Sequence, residues 1–592
     1  MQKSLFLLLA LIYFSLNAKA FDIQYKVEMP MPNSHYFYVK MMISDLKQKE
    51  TIIKMPVWAP GSYLSREFAK SVNLVTASSS KGKLLEIEKV SKNAWKIDTK
   101  GENSIFIDYQ VYAFELSVRT SFLDDSHGYI NGTSVFMYME GAKDAKGKLT
   151  IVPHKSFSKI STALKSAGNN TFEFEDYDQL VDCPIEIGNQ YEFQFDAAGV
   201  KHTVAMYGEG NYDEEVLKRD MAKIVEAETM IFGENPNKEY LFIIHNITFP
   251  SGGLEHVNST TLQVNRWTYE GDDYLGFLSL VAHEYFHLWN VKRMRPKELG
   301  PFNYDCENYT DLLWVMEGFT SYYDELVLRR AGFYTEEEYL GKLFSTINYV
   351  ENRPGNKVQP VAHASFDAWI KAYRPNENSV NTTISYYSKG QILAAILDMH
   401  IIGKNKGKKS LDDFLQAIYA QYYKANDIGY TEEQFQEALE SFLGEKMDWF
   451  FNKYVYSTHA IDYASHFSHV GLAVSDQAKE PQSELGIRTS NQGGKLIITT
   501  VYSGSAAEEQ GLSVNDEIIA VNGYRVDKAD FEDMMAKQNI GDKFEVIASR
   551  DNLLKTYEIQ MGQSNRVKFV YQPDFSGNTR ELFDYWLRVD VK

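Results

Sequence analysis

His283, Glu284 and His287 lie in the run Val281-Ala-His-Glu-Tyr-Phe-His-Leu-Trp289 and form the pattern His-Glu-x-x-His. Side chains four apart on a helix project side by side, so two imidazoles at this spacing can grip one metal ion. The carboxylate beside the first histidine then faces the water on that ion, which is the geometry of a zinc peptidase with Glu284 as general base. A plain helix with two satisfied histidines would show the same five residues, so further ligands have to decide. A catalytic zinc takes three protein ligands plus water. Two downstream acids offer themselves, Glu307 in Glu307-Asn-Tyr-Thr310 and Glu317 in Leu313-Trp-Val-Met-Glu317-Gly-Phe-Thr-Ser-Tyr-Tyr323, and spacing alone does not choose between them.

The elements that must hold these residues follow from the apolar pattern. From about Asp272 to Tyr463 the periodicity is helical, as in Gly390-Gln-Ile-Leu-Ala-Ala-Ile-Leu-Asp-Met-His400. Asp272 and Asp273 stand where the N-cap of the histidine helix is expected, and that helix should end near Val291, ahead of Pro296. From Phe21 to about Val200 short alternating strands such as Ser104-Ile-Phe-Ile-Asp-Tyr-Gln-Val-Tyr112 predict an all-β region. After about Ser468 strands return around one helical segment, Ala529 to Gln538. With 592 residues the chain is too long for a single core, and the fold class expected is multidomain α+β.

Composition narrows the partners. Lys and Arg number 61 against 80 Asp and Glu, a formal charge of −19, which argues against nucleic acid. The only cysteines are Cys183 and Cys306, so there is no disulfide framework; one bridge or two separate thiols both fit. Residues 1–20 carry an early Lys3, an apolar stretch from Leu5 to Leu16, and Ala18 and Ala20 at the small-residue positions before Phe21. This reads as a signal peptide cleaved after Ala20, giving a periplasmic or secreted protein, and no later segment is apolar enough to span a membrane.

Three segments resemble the aminopeptidase N type gluzincins. Trp314, Glu317, Gly318 and Phe319 are similar to the Trp-Leu-Asn-Glu-Gly-Phe-Ala segment of that group. The resemblance implies Glu317 as the third zinc ligand, with Glu307 as a supporting carboxylate. Gly252-Gly253-Leu-Glu255-His256 resembles the Gly-x-Met-Glu-Asn strand, which implies that Glu255 holds the free α-amino group of the substrate. A carboxylate fixed there sets the first peptide bond over the metal. Tyr386-Tyr387-Ser-Lys-Gly390 resembles Tyr-Glu-Lys-Gly and implies Tyr387 as donor to the oxyanion, or Tyr386 if the register differs by one. Lys292, Arg293 and Arg295 are placed either to meet a substrate carboxylate or to form ion pairs closing the helix end.

Across residues 21–565 the chain is identified as resembling the glycyl aminopeptidase family of PDZ-containing gluzincins. Besides the segments above, the match rests on Trp58-Ala-Pro-Gly-Ser-Tyr63 with Arg66, Glu67 and Phe68; on Asn131-Gly132 after Tyr109 and Arg119; and on Trp289-Asn-Val-Lys-Arg-Met-Arg-Pro296. Cys183 stands where relatives commonly have a small residue. The resemblance implies an N-terminal β domain (21–200), a thermolysin-like, mainly helical catalytic domain (201–465), a PDZ domain (466–565) and a C-terminal tail (566–592). It further implies one zinc ion per chain and release of small N-terminal residues, Gly and Ala, from peptides. Glu484-Leu-Gly-Ile487, Ser505-Ala506, Gly511-Leu512, Asp516 with Ile518, and Val521-Asn-Gly523 carry the PDZ likeness. A peptide would add as a strand beside Leu485, Gly486 and Ile487, facing the helix from Ala529. Asn515 replaces a usual Gly and no basic residue precedes the loop, so a PDZ that only packs on its neighbour fits equally. The other readings are a zinc endopeptidase with PDZ-guided binding and a non-catalytic peptide-binding scaffold.

Overall fold

The computed structural model describes residues 21–248, 251–478 and 481–591, so the signal-like segment 1–20 lies outside the described residues. The chain forms two compact units. One holds the residues up to Ala222 with Asn235–Leu288 and Pro301–Asn308; the other holds Lys223–Glu234, Trp289–Gly300 and Tyr309 onward.

The first unit begins with the expected β domain. Its largest sheet has seven strands, with Asp22–Glu28, Tyr36–Ser44 and Ser104–Tyr112 neighbouring one another at its centre. Alternation explains them: every second residue of Tyr36–Ser44, namely Phe37, Val39, Met41 and Ile43, is fully buried. Two four-stranded sheets complete the domain, and Ile185–Gly188 in one of them is buried along its whole length. Next comes a five-stranded mixed sheet in the order Tyr191–Ala197, Val200–Tyr207, Glu239–Ile247, Ser259–Asn265, Gly252–Glu255. The three central strands run parallel, and Gly252–Glu255 pairs antiparallel with Ser259–Asn265 as the edge. An open edge is what a substrate strand can pair with.

The helix Gly271–Phe286 packs on this sheet and carries His283 and Glu284, with His287 as its C-cap. It starts and stops earlier than the sequence predicts. Glu270 is the N-cap, while Asp272 and Asp273 fall in the first turn, where carboxylates favour the exposed N–H groups. Beyond Leu288 the backbone leaves the helix at Val291, whose φ is +120°. The pairing Asn290↔Met294 takes over from there.

The second unit is helical around Gly318–Arg330 and Tyr386–Asn405, which cross closely. Its PDZ region has the strand order Ile487–Gln492, Lys495–Val501, Glu517–Val521, Lys543–Arg550, Leu553–Gln560, with the helix Lys528–Ala536 beside the first strand. Asn515 adopts φ +69°, a conformation asparagine tolerates, which accounts for its standing in place of glycine. After the PDZ region Phe569–Pro573 pairs with Leu472–Asp476, and the helix Thr579–Trp586 returns to the helical core. Cys183 and Cys306 are not joined in a disulfide, the first being buried and the second exposed. Among the described residues no helix is long and apolar enough to cross a membrane.

Candidate active site

The helix turn presents His283 and His287 with ring centroids 4.8 Å apart and planes at 87°, so the two rings stand edge to face. Glu317 occupies the joint between two helices, ending Leu313–Met316 and starting Gly318–Arg330, and is 2% exposed. Its backbone is tied on both sides, by its own N–H to the Leu313 carbonyl (2.8 Å) and by the Ser321 N–H to its carbonyl (2.7 Å). Asn290 supports the same joint: its Nδ2 donates to the carbonyls of Val315 and Met316, both at 3.0 Å, and to the Thr320 hydroxyl at 3.1 Å. Asn290 belongs to the quoted Trp-Asn-Val-Lys segment, but nothing in the sequence indicated this task. His283, His287 and Glu317 each offer a ligand atom, and these atoms lie within 4.8 Å of one another. Two nitrogens and a carboxylate at that separation suit a tetrahedral ion, whose ligand bonds run about 2.0–2.2 Å. Glu307 instead accepts the Ser65 hydroxyl at 3.2 Å.

A second group comprises Glu255, Glu284 and His287, again with ligand atoms within 4.8 Å. Period-two alternation puts residues 253 and 255 of the edge strand on one face, and the face is that of the helix. A Cβ at Gly253 would fall on the Glu284 carboxylate, so only glycine lets the strand lie this close. Glu255 is 5% exposed, and its carboxylate has no hydrogen bond or ion pair among the described residues.

Tyr386 and Tyr387 open the helix Tyr386–Asn405 behind Ser385, whose side chain accepts from the Ser388 N–H. Tyr386 is buried and Tyr387 half-buried. Gly318 and Gly390 bring the two helices together: a Cβ at Gly390 would meet the Gly318 Cα at 2.8 Å and strike the Trp314 carbonyl. Of the basic trio, Arg295 pairs with Asp427 (3.6 Å) and Arg293 lies over the Tyr423 ring (5.7 Å).

A third cluster, His127, Glu186 and His245, also has metal-ligand chemistry. Here the carboxylate is already satisfied, accepting from His127 Nδ1 at 2.7 Å and His245 Nε2 at 2.9 Å. It is a buried clasp of hydrogen bonds. Burial opposes its charge, yet the two imidazoles hold the Glu186 carboxyl down at about 2.

Family models match the chain in three places. Residues 24–189 match the Peptidase M61 N-terminal domain, 276–393 the M61 glycyl aminopeptidase, and 483–561 a PDZ domain. The crystal structure of an aminopeptidase N family protein from Idiomarina loihiensis is 30% identical, covers 95% of this chain and 100% of that chain, and superposes with a TM-score of 0.89. The chain belongs to the M61 glycyl aminopeptidase family. More distant likenesses are an M1 zinc metallopeptidase from Deinococcus radiodurans (12% identity, 75% of this chain and 94% of that chain, TM-score 0.49) and a yeast LTA4 hydrolase (14%, 75% and 69%, TM-score 0.45). No curated protein matches. This M61 member is therefore a metallopeptidase with an N-terminal β domain, a helical catalytic region and a PDZ domain. The matched peptidase segment includes His283, Glu284, His287, Glu317 and Tyr387, whereas Glu255 precedes it.

Leu485, Gly486 and Ile487 lead into the first strand of the PDZ region. Leu485 is buried, with its carbonyl accepting from the Ala507 N–H at 3.0 Å. Gly486 has φ +81° and no room for a side chain against Ser505. Ile487 opens the edge strand. The Val501–Ser503 loop, outside that edge, joins the PDZ region to Asn381, which donates to the Val501 carbonyl (2.9 Å) and accepts from the Ser503 N–H (3.1 Å).

Proposed function

We propose that the protein is an exported zinc aminopeptidase that releases small N-terminal residues, chiefly glycine and alanine, from peptides. The observation that carries the reading is Glu255, a buried carboxylate with no cation paired to it among the described residues, held beside Glu284. Two carboxylates that close repel, and a cation between them relieves both. The free ammonium of a peptide is a cation of the right size, and a carboxylate of the edge strand is in position to hold it.

His283, His287 and Glu317 would hold the metal, one ion per chain. When bound, zinc supplies a Lewis acid and water activated to a pKa near about 7. Glu284 takes the proton of the attacking water and passes it to the leaving amine. Tyr387, the more open of its pair, donates its hydroxyl proton toward the oxyanion. Glu255 fixes the amino group, so that the first peptide bond is the one cut. No covalent intermediate is required. The preference for small residues follows from the family alone. The PDZ edge at Leu485, Gly486 and Ile487 is proposed to take an extended peptide by strand addition, since the domain's contact with Asn381 uses a different loop.

The test is Glu284→Gln in parallel with metal chelation. Chelation should abolish glycine release and zinc should restore it. Glu284→Gln should keep its zinc and lose about 10²–10⁴ of kcat. A variant that turns over normally rejects Glu284 as base, and a chelator-resistant wild type rejects the metal reading.

A further inference from the structure

We propose that Gly61, at the tip of a turn in the N-terminal β domain, positions Glu255 and closes the pocket behind the substrate's amino group. The inference rests on Glu255 being the ammonium site.

Ala59-Pro60-Gly61-Ser62 forms a tight turn, closed by the Ser62 N–H donating to the Ala59 carbonyl at 3.0 Å. Proline second, glycine third and φ +81° at Gly61 are the features of a type II turn. The turn is held from both sides. Trp58 is fully buried and donates from Nε1 to the Asn303 carbonyl at 2.8 Å, Tyr63 is 1% exposed, and Arg66 Nη2 donates to Ser62 Oγ at 3.0 Å. Asn303 belongs to the segment that follows the metal helix, so the turn is tied to the catalytic part of the chain.

The tip of this fixed turn meets Glu255. A Cβ on Gly61 would lie 2.6 Å from Glu255 Oε1, 2.7 Å from Oε2 and 2.7 Å from the Leu254 Cδ1. Backbone therefore abuts both oxygens of a carboxylate to which no donor among the described residues is bonded. Two consequences follow. The wall of the turn, rather than a hydrogen bond, sets where the carboxylate stands. The same wall fills the space that a group attached to the amino nitrogen would need, so the pocket admits an amino terminus and excludes an acylated one.

The experiment is a double-mutant cycle of Gly61→Ala and Glu255→Ala, measuring kcat and KM on glycyl-alanine amide and its N-acetyl form, with zinc content and thermal unfolding as checks of folding. Gly61→Ala should raise KM for the free-amine peptide by about 10- to 100-fold while kcat changes little. In the Glu255→Ala background the same change should add less than about 2-fold, because the group it displaces is gone. An unchanged KM, or an equal loss in both backgrounds, overturns the proposal. If Gly61→Ala does not fold, Pro60→Ala loosens the turn without adding an atom at its tip. It should raise KM in the wild type and not beside Glu255→Ala, and equal effects in both overturn the proposal. If Glu255→Ala itself leaves the preference for free amines intact, the ammonium-site reading falls; a silent Gly61→Ala beside an effective Glu255→Ala removes only the role of Gly61.

Discussion

At the scale of single residues the chemistry depends on charges kept close without neutralising one another. Glu255 and Glu284 are both buried, share a neighbour in His287, and lie against Gly61 and Gly253, whose missing side chains leave room for them. Tyr387→Phe removes the proposed oxyanion donor and should lower kcat by about 10²–10³ with little change in KM, checked by steady-state kinetics on a glycyl anilide. A large rise in KM with constant kcat would instead assign Tyr387 to ground-state binding. His283, Glu284 and His287 are legible in the sequence because a four-residue spacing on a helix fixes their relation locally. Gly61 and Asn290 are not, because their tasks arise only where distant segments meet: a Pro-Gly turn signals its own shape but not the carboxylate it will touch.

At the scale of elements, two devices hold the site. The crossing of Gly318–Arg330 with Tyr386–Asn405 depends on Gly318 and Gly390, and it fixes Glu317 and Tyr387 at the ends of facing helices. Gly390→Ala pushes a methyl group into the Trp314 carbonyl and should cost about 1–3 kcal/mol in urea unfolding, with weakened zinc retention. Unaltered stability would show that the helices can part at no cost. The other device is the clasp of Glu186 with His127 and His245. Its folded carboxyl value, about 2, lies below the ordinary 4.5, so its contribution is full above 4.5 and is lost as pH falls toward 2. Burial, working against the attraction of Glu186, lowers His245 too; its neutral form is the folded one, and its contribution fades below the ordinary value near 6.5. Both act in the same direction. Melting temperature should drop steadily on acidification from pH 6.5, and Glu186→Gln should lower stability by about 1–3 kcal/mol at neutral pH while flattening the acid limb. An acid limb unchanged in the variant would remove the clasp as its source. The alternation of strands such as Tyr36–Ser44 makes the β domain readable, whereas the start of the histidine helix is not, because its N-cap, Glu270, makes no side-chain cap bond that its residue type could signal.

At the scale of the whole molecule, the residues after the PDZ domain matter to the fold. Trp586, fully buried, donates from Nε1 to the Tyr322 hydroxyl at 2.8 Å, and Tyr322 donates to Asp398 at 2.6 Å. Arg588 and Arg330 both pair with Asp412, at 2.9 and 2.8 Å. These contacts brace the helix that begins at Gly318, directly after Glu317. Trp586→Ala should therefore cost about 3–5 kcal/mol by denaturant unfolding, although it lies in the last turn of the helix Thr579–Trp586. A loss below 1 kcal/mol, roughly the effect of a surface change, would mean the terminal helix is dispensable. The most direct measurement for the molecule as a whole compares glycine release from a glycyl peptide with cleavage of the same peptide carrying an acetylated amino terminus, using zinc-loaded protein. The free peptide should be cut and the acetylated one slower by about 10³ or more. Comparable rates on the two would contradict the assignment of Glu255, and with it the reading of this site as an aminopeptidase.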